Sequence, residues 1–206
     1  APVVRRPRAE AEALRRQWDA APEDFALGIL ARLEDYKGHV DILQALAILR
    51  DEGRPVKLVI AGVGPYEQKL REETARLGLE AQVRFLGFVT DVAPLLSALD
   101  LQLNASYGTE TSSLSILEGM SMGLPAVVSD YGGNPWLIDD GEDGLLFPTR
   151  DAQALARAVA RLMDAPEELS QMGRRAGEIY RARFTGEIFA KKIEDIYLDI
   201  LKGAKS

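Results

Sequence analysis

The 206-residue sequence has no cysteine and a single histidine, His39. The first absence excludes disulfides and thiolate metal sites. The second leaves any zinc or iron centre to be assembled mainly from carboxylates, an unusual ligand set. No apolar run approaches the roughly 20 residues that a membrane-spanning helix requires, and no signal peptide is legible at the start. Positive charge is in deficit, with 25 Lys and Arg against 32 Asp and Glu and a formal net charge of −7. That balance disfavours nonspecific nucleic-acid binding, which draws its affinity from cations against phosphate. The one basic cluster, Arg5, Arg6, Arg8, Arg15 and Arg16, reads as a solvated face, with a nucleic-acid or lipid patch as the alternative. The chain opens on Ala1 and not on Met, so a fragment of a longer protein is expected.

What is present is ordinary for a globular protein: 47% hydrophobic and 28% charged residues. Six short β-rich runs, FALGILA, VKLVIAG, VRFLG, LQLNAS, PAVVSD and GLLFP, alternate with helical patterns. That alternation predicts an α/β fold with a parallel six-stranded sheet covered by helices on both faces. After Pro148 three helices are expected, over 151–164, 167–183 and 187–201. The last has an apolar face of Phe189, Ile193, Ile196, Tyr197, Ile200 and Leu201 at i, i+3, i+4 spacing. No internal repeat or Pro/Ser-rich linker divides the chain. One domain over 1–206 is expected, with a leading loop and helix over about 1–20.

In an open parallel sheet, ligands bind beyond the carboxyl ends of the strands. After the first run stands ARLEDYKGH, which carries Arg32 and Lys37 and ends where a helix starts. Two cations beside a helix N-terminus make an anion site. Charge-assisted hydrogen bonds of roughly 1.5–3 kcal/mol outweigh the roughly 0.3–1 kcal/mol of the helix end. The competing reading pairs the two cations with Glu34, Asp35 or Glu52 on the surface. GVGP (62–65) reads as a tight turn, since it lacks both a third fingerprint glycine and a Walker Lys. His39 reads as a first-turn helix residue kept neutral by the helix N-terminus.

The stretch YGTETSSLSILEGMSMGLPAVVSD (107–130) follows the fourth run and holds two isolated carboxylates, Glu110 and Glu118. Ser112 or Ser113 can cap a helix whose first amides then face the crevice. Ser115-x-x-Glu118 also matches a capping box, the structural alternative for Glu118. Eight residues of helix span about 12 Å, whereas acid/base carboxylates across one bond sit about 5–9.5 Å apart. The spacing therefore suits contact with two ends of an extended ligand.

ARLEDYKGH, LVIAGVGPYEQKL, VRFLGFV and ETSSLSILEGMSMGLPAVVSDYGGNPWLIDDGEDGLLF together resemble the carboxyl-terminal half of group 1 retaining glycosyltransferases of the GT-B architecture. Glu110 and Glu118 match that family's E-x7-E motif, followed by Gly123, Pro125, Val127, Ser129, Asp130, Gly132 and Gly133. The resemblance implies a Rossmann-like domain that binds a nucleotide-sugar donor and needs no metal or other cofactor. Arg32 and Lys37 would hold the diphosphate. Backbone amides near Thr111, Ser112, Ser113 and Leu114 would meet phosphate, with those of Ser113 and Leu114 at the helix N-terminus. Glu118 would accept from the ribose hydroxyls and Glu110 from the donor sugar, while main-chain groups near Phe88 would meet the base. Arg32, Lys37 and Glu110 are thus the expected catalytic residues.

Trp136 stands where many relatives carry Glu, and no role passes to it. The family builds its active site between two domains. The tail over 185–206 is therefore expected to cross to an amino-terminal domain that this chain does not contain, leaving the isolated chain weakly active or inactive. The resemblance implies a hexosyl transfer in the cytoplasm; base, sugar and acceptor stay open, as does a peripheral place at a membrane. A non-catalytic nucleotide-binding or scaffold module of the same fold is the alternative. A flavodoxin- or receiver-like domain would need an acidic or phosphate-binding cluster after the first run, where this sequence has Arg32 and Lys37.

Overall fold

The computed structural model describes residues 3–203; residues 1–2 of the expected leading segment and 204–206 of the expected tail lie outside the described residues. The six β-rich runs form β1 (Phe25–Leu30), β2 (Val56–Ala61), β3 (Val83–Gly87), β4 (Leu101–Asn104), β5 (Ala126–Ser129) and β6 (Gly144–Phe147). All pairings are parallel. The strand order is β3-β2-β1-β4-β5-β6, the doubly wound Rossmann order, in which the chain reverses direction between β1 and β4. Strands buried on both faces read as continuous apolar runs. All four residues of β4 and all four of β5 are buried, whereas β3, at one edge, buries only Val83.

The helices are α1 (Arg8–Gln17), α2 (His39–Asp51), α3 (Glu67–Arg76), α4 (Val92–Ser97), α5 (Leu114–Ser121), α6 (Asn134–Leu137), α7 (Ala152–Asp164), α8 (Pro166–Arg183) and α9 (Gly186–Gly203). Ile42, Leu43 and Leu46 of α2, Leu70 of α3 and Leu155 and Val159 of α7 bury themselves in one cluster with strand residues such as Leu58 and Leu101. On the opposite face, Trp18 joins Leu95, Leu96 and Leu99, and Ile116 and Met120 of α5 meet Ala176 and Ile179 of α8. Burial of each large aliphatic side chain contributes about 1.5–3 kcal/mol, so the sheet is clamped from both sides.

The three helices expected after Pro148 are all present. The last keeps its apolar face uncovered: Phe189 is 67% exposed, Ile196 55% and Ile200 61%. Among the described residues no helix is long and apolar enough to cross a membrane.

Candidate functional site

The crevice at the β1/β4 reversal is built from two loops that are tied together. The β1 loop runs through a short 3-10 turn, Asp35–Lys37, and the β4 loop carries Tyr107 to Ser113. The Tyr107 amide donates to the Tyr36 carbonyl at 2.8 Å. Gly38, at φ 70, sits so close to the chain that an added Cβ would lie 2.0 Å from the Ala105 carbonyl oxygen. Only glycine takes that backbone shape at that approach without strain, which is why the α2 entry is docked against the end of β4.

This docking brings Lys37 and Glu110 together. Lys37 Nζ lies 2.9 Å from Glu110 Oε2, with the carboxylate side chain only 6% exposed. Asn104 Nδ2 donates to the same oxygen at 3.2 Å and Ser106 Oγ at 2.9 Å. Burial is the largest influence on this carboxyl and raises its pKa. The hydrogen bonds from Lys37, Asn104 and Ser106, with the Lys37 charge, outweigh it and leave the pKa below the usual value. Glu110 is therefore a fixed anion, with all of these bonds on Oε2.

A buried polar chain holds that arrangement from behind. Asn134 Nδ2 donates to Ser129 Oγ at 3.1 Å, and Ser129 Oγ donates to the Ser106 carbonyl at 2.6 Å. Ser106 thus receives one bond on its backbone and gives one to Glu110. The two loop glycines fix the Glu110 backbone. The Gly133 amide donates to the Glu110 carbonyl at 2.9 Å. A Cβ on Gly133 would stand 1.9 Å from the Thr111 carbonyl oxygen, and one on Gly132 2.1 Å from that of Glu110. Just before Glu110, Thr109 adopts φ 42, an outlier for a β-branched residue of the kind that clusters at functional sites.

Glu110 leads directly into α5. Ser113 takes the extended N-cap geometry, but its hydroxyl makes no capping bond; it lies 3.2 Å from Ser115 Oγ instead. The expected side-chain cap is thus absent. Among the described residues no side chain or carbonyl accepts from the amides of Leu114, Ser115 or Ile116. The capping box read at Ser115-x-x-Glu118 is corrected as well. The helix begins at Leu114, so Ser115 is its second residue and Glu118 lies in its second turn. The four helical steps from 114 to 118 account for about 6 Å of rise, and loop supplies the rest of the Glu110–Glu118 separation. Gln102 Nε2 holds the Ser115 carbonyl at 2.9 Å, and Gly119 leaves room for that side chain.

Glu118 is half-buried and its carboxylate has no partner among the described residues; burial alone raises its pKa. It contrasts with Glu110: one carboxylate has three donors on a single oxygen, the other has none. Leu114 is exposed, as are Thr111 and Ser112.

Arg32 is placed apart from this centre. Its side chain is 73% exposed and bonds to Glu34 at 2.8 Å, as the surface-pair reading of that loop anticipates for Arg32 but not for Lys37. Phe88, 75% exposed, follows Gly87 on the loop after β3. GVGP is a turn: Gly62, at φ 148, approaches the Ala31 carbonyl and Gly64 that of Leu33. His39 is the first residue of α2 and buried. Burial, and then the Lys37 charge, push its pKa down to about 4.

The sequence pattern described as glycosyl transferases group 1 matches residues 10–178. The chain belongs to this family. Among relatives of this group 1 glycosyl transferase chain is the N-acetyl-alpha-D-glucosaminyl L-malate synthase of Bacillus anthracis. It is 30% identical over 193 residues, covering 94% of this chain and 50% of the relative. The chain spans about half the length of the curated relatives it matches. Anabaena Alr3699/HepE, crystallised in complex with UDP-glucose, superposes with a TM-score of 0.87 at 27% identity, over 95% of this chain and 54% of that one. The C-terminal domain of a group 1 family protein, LpcC, from Francisella tularensis shares the fold at a TM-score of 0.78 and 20% identity, over 89% of this chain and 97% of that one.

Asn104, Ser106 and Asn134 are site residues that no sequence motif singled out. The available signal was chemical: Asn at the buried end of β4 is a polar group that must find partners.

Proposed function

We propose that this chain is the donor-binding part of a retaining glycosyltransferase that moves a hexosyl group from a nucleoside diphosphate sugar to an acceptor. The observation that carries the proposal is the Lys37–Glu110 pair, set at the β1/β4 reversal four residues before the unpartnered amides of α5. In a chain similar to a protein crystallised with UDP-glucose, that combination gives each part of a donor a counterpart. Phosphate oxygens meet the Leu114 and Ser115 amides and the positive end of α5. Lys37 supplies a cation to the departing diphosphate. Glu118, short of donors, accepts from the ribose hydroxyls, and Glu110 turns its remaining lone pairs to the sugar. Main-chain groups beside Phe88 meet the base.

Arg32 completes the diphosphate contacts by exchanging partners. An exposed pair such as Arg32–Glu34 is worth about 0–1 kcal/mol, less than a charge-assisted bond to phosphate at about 1.5–3 kcal/mol. The reaction uses no metal in this reading. Glu110 Oε2 is already committed to Lys37, Asn104 and Ser106, and the charge on the leaving group is met by Lys37 and Arg32. The acceptor is met by an amino-terminal domain, onto which the uncovered face of α9 packs, and the chain alone transfers little sugar.

A thermal-shift panel of UDP, GDP and ADP tests the proposal. One nucleotide should raise the unfolding midpoint clearly above the others, and Lys37→Ala and Glu118→Ala should each remove the effect. If no nucleotide stabilises the chain, or if both variants keep the shift, the non-catalytic scaffold reading takes its place.

A further inference from the structure

The basic cluster near the start of the chain finds no use in the donor crevice, and the fold puts it at the opposite end of the strands. It lines a cavity of about 700 Å³, within the range of small-molecule sites, about 300–1,000 Å³. The walls come from Arg5 and Arg6 with the α1 that follows them, from the segment Ala20–Pro22 that enters β1, and from Ser97, Leu99 and Asp100, at the end of α4 and before β4. These are the amino ends of the strands, so the length of the strands, about 13–20 Å, separates this cavity from the crevice.

Five arginines line it: Arg5, Arg6, Arg8, Arg15 and Arg16. Only two carboxylates do, Glu12 and Asp100. Arg15 is anchored on both sides, by Asp100 at 2.7 Å and by the Ala98 carbonyl at 2.7 Å. Arg8 pairs with Glu12 and Arg6 with Asp91. Arg5 and Arg16 are exposed and their guanidinium groups have no partner among the described residues. An adjoining cavity of about 380 Å³ shares Arg5 and Asp100 and adds Arg174, so the positive surface continues as a groove.

Gathering like charges in one concavity of a chain with net charge −7 costs repulsion that surface carboxylates would relieve elsewhere. Here two guanidinium groups are left uncompensated beside a third that is held rigid. Guanidinium forks match phosphate oxygens bidentately. A concave wall made of three chain segments suits a discrete group better than a long polyanion, which the overall charge repels.

We propose that this cavity is a second ligand site, for a phosphate-bearing anion, with Arg5 and Arg16 as the recruiting cations and Arg15 as the fixed one. The ligand chemistry is a phosphate or diphosphate group, whether free or as a lipid headgroup.

Inorganic pyrophosphate, titrated calorimetrically at low salt, tests it on the wild type, on Lys37→Ala, which removes the diphosphate binding proposed for the crevice, and on Lys37→Ala carrying the further changes Arg5→Gln/Arg16→Gln. Binding should survive in Lys37→Ala, whose lesion is in the crevice. It should weaken about tenfold or more when the two arginine changes are added, the loss expected for removed charge-assisted bonds. Both arginines are exposed and unpaired, so a melting midpoint unchanged from that of Lys37→Ala should show that the triple variant is folded. Sedimentation with phosphatidylglycerol and phosphatidylcholine vesicles separates the sources. Arginine-dependent binding to the anionic vesicles that pyrophosphate competes away makes a lipid headgroup the ligand. Pyrophosphate binding without sedimentation makes it a soluble phosphate. Equal binding with and without the two arginine changes in the Lys37→Ala background, loss of all binding in a Lys37→Ala protein that still melts cooperatively, or no binding of either probe overturns the site.

Discussion

Lys37 and Glu110, 73 residues apart in sequence, meet at 2.9 Å with both side chains largely buried, and among the described residues neither has a second ion pair. Removing the lysine alone leaves a carboxylate desolvated with only Asn104 and Ser106 to hold it. Breaking a buried pair from one side costs about 3–5 kcal/mol. Lys37→Ala is expected near the lower end of that range, by urea unfolding at pH 7, because the two neutral donors remain. Glu110→Gln in the Lys37→Ala background should recover part of the loss, since the buried charge is then gone.

The same carboxylate carries a pH signature. Its folded pKa lies below the ordinary Glu value, so its stabilisation is fully present above the unfolded pKa and is lost as pH falls through the folded one. Wild-type stability should decline more steeply below about pH 4.5 than that of Glu110→Gln. Parallel pH profiles for the two proteins would show that Glu110 is not held as an anion.

His39 adds a second titration at higher pH. Both ring nitrogens are buried, only a weak contact with the Glu34 backbone favours the proton, and the folded pKa is about 4 against an unfolded value of about 6.5. The folded state prefers the neutral ring, so this stability is complete above about 6.5 and falls away as pH drops toward 4. The full swing is about 3 kcal/mol. His39→Leu should flatten the profile between pH 6.5 and 4 while leaving the steeper fall below it. An unchanged slope would mean that the ring gains a proton freely in the folded chain.

Gly133→Ala tests how Glu110 is aimed. The added Cβ would meet the Thr111 carbonyl at 1.9 Å, and the loop backbone must move to relieve it. Overpacking of this kind costs about 1–3 kcal/mol. The proposed nucleotide-induced shift should fall with it, because Glu110 and the first amides of α5 lie on the segment that moves. A variant with wild-type stability and a wild-type shift would show the loop to be compliant.

What could be read ahead of the structure followed from period and composition. β4 and β5 are buried on both faces and show as apolar runs; α9 shows as a stripe of Phe189, Ile193, Ile196 and Ile200. Glu110 and Glu118 stood out because charge is scarce around them. Three features were illegible for physical reasons. α5 begins at Leu114, and the Ser115 carbonyl is held by Gln102, a tertiary contact, so Ser115-x-x-Glu118 matched a capping box by spacing alone. The Asn134–Ser129–Ser106 chain joins the start of α6, the end of β5 and the loop after β4, which only strand pairing brings together. Arg32 and Lys37 look alike in ARLEDYKGH, but the 3-10 turn sends one outward to Glu34 and the other inward to Glu110.

Glu118 shows the opposite balance between stability and use. Its carboxylate is half-buried, unpartnered and pushed up by burial alone. With a folded pKa above the unfolded one, the protonated form is favoured by folding. The chain is therefore most stable below the unfolded pKa and loses that increment as pH rises through the folded value. At pH 7 the charged group is a net liability that a ligand's hydroxyls would relieve. Glu118→Gln, neutral and of the same shape, should raise stability at pH 7 by about 0.5 kcal/mol or more, as expected when a functional group that burdens the fold is removed. The gain should vanish toward pH 3, where the wild-type carboxyl is protonated too. The same variant should lose most of the proposed nucleotide-induced shift, because an amide accepts at only one atom where a carboxylate accepts at two. Urea unfolding at pH 7 and pH 3, run beside the nucleotide panel, measures both. A variant less stable at pH 7 with its nucleotide shift intact would make Glu118 a structural residue of α5.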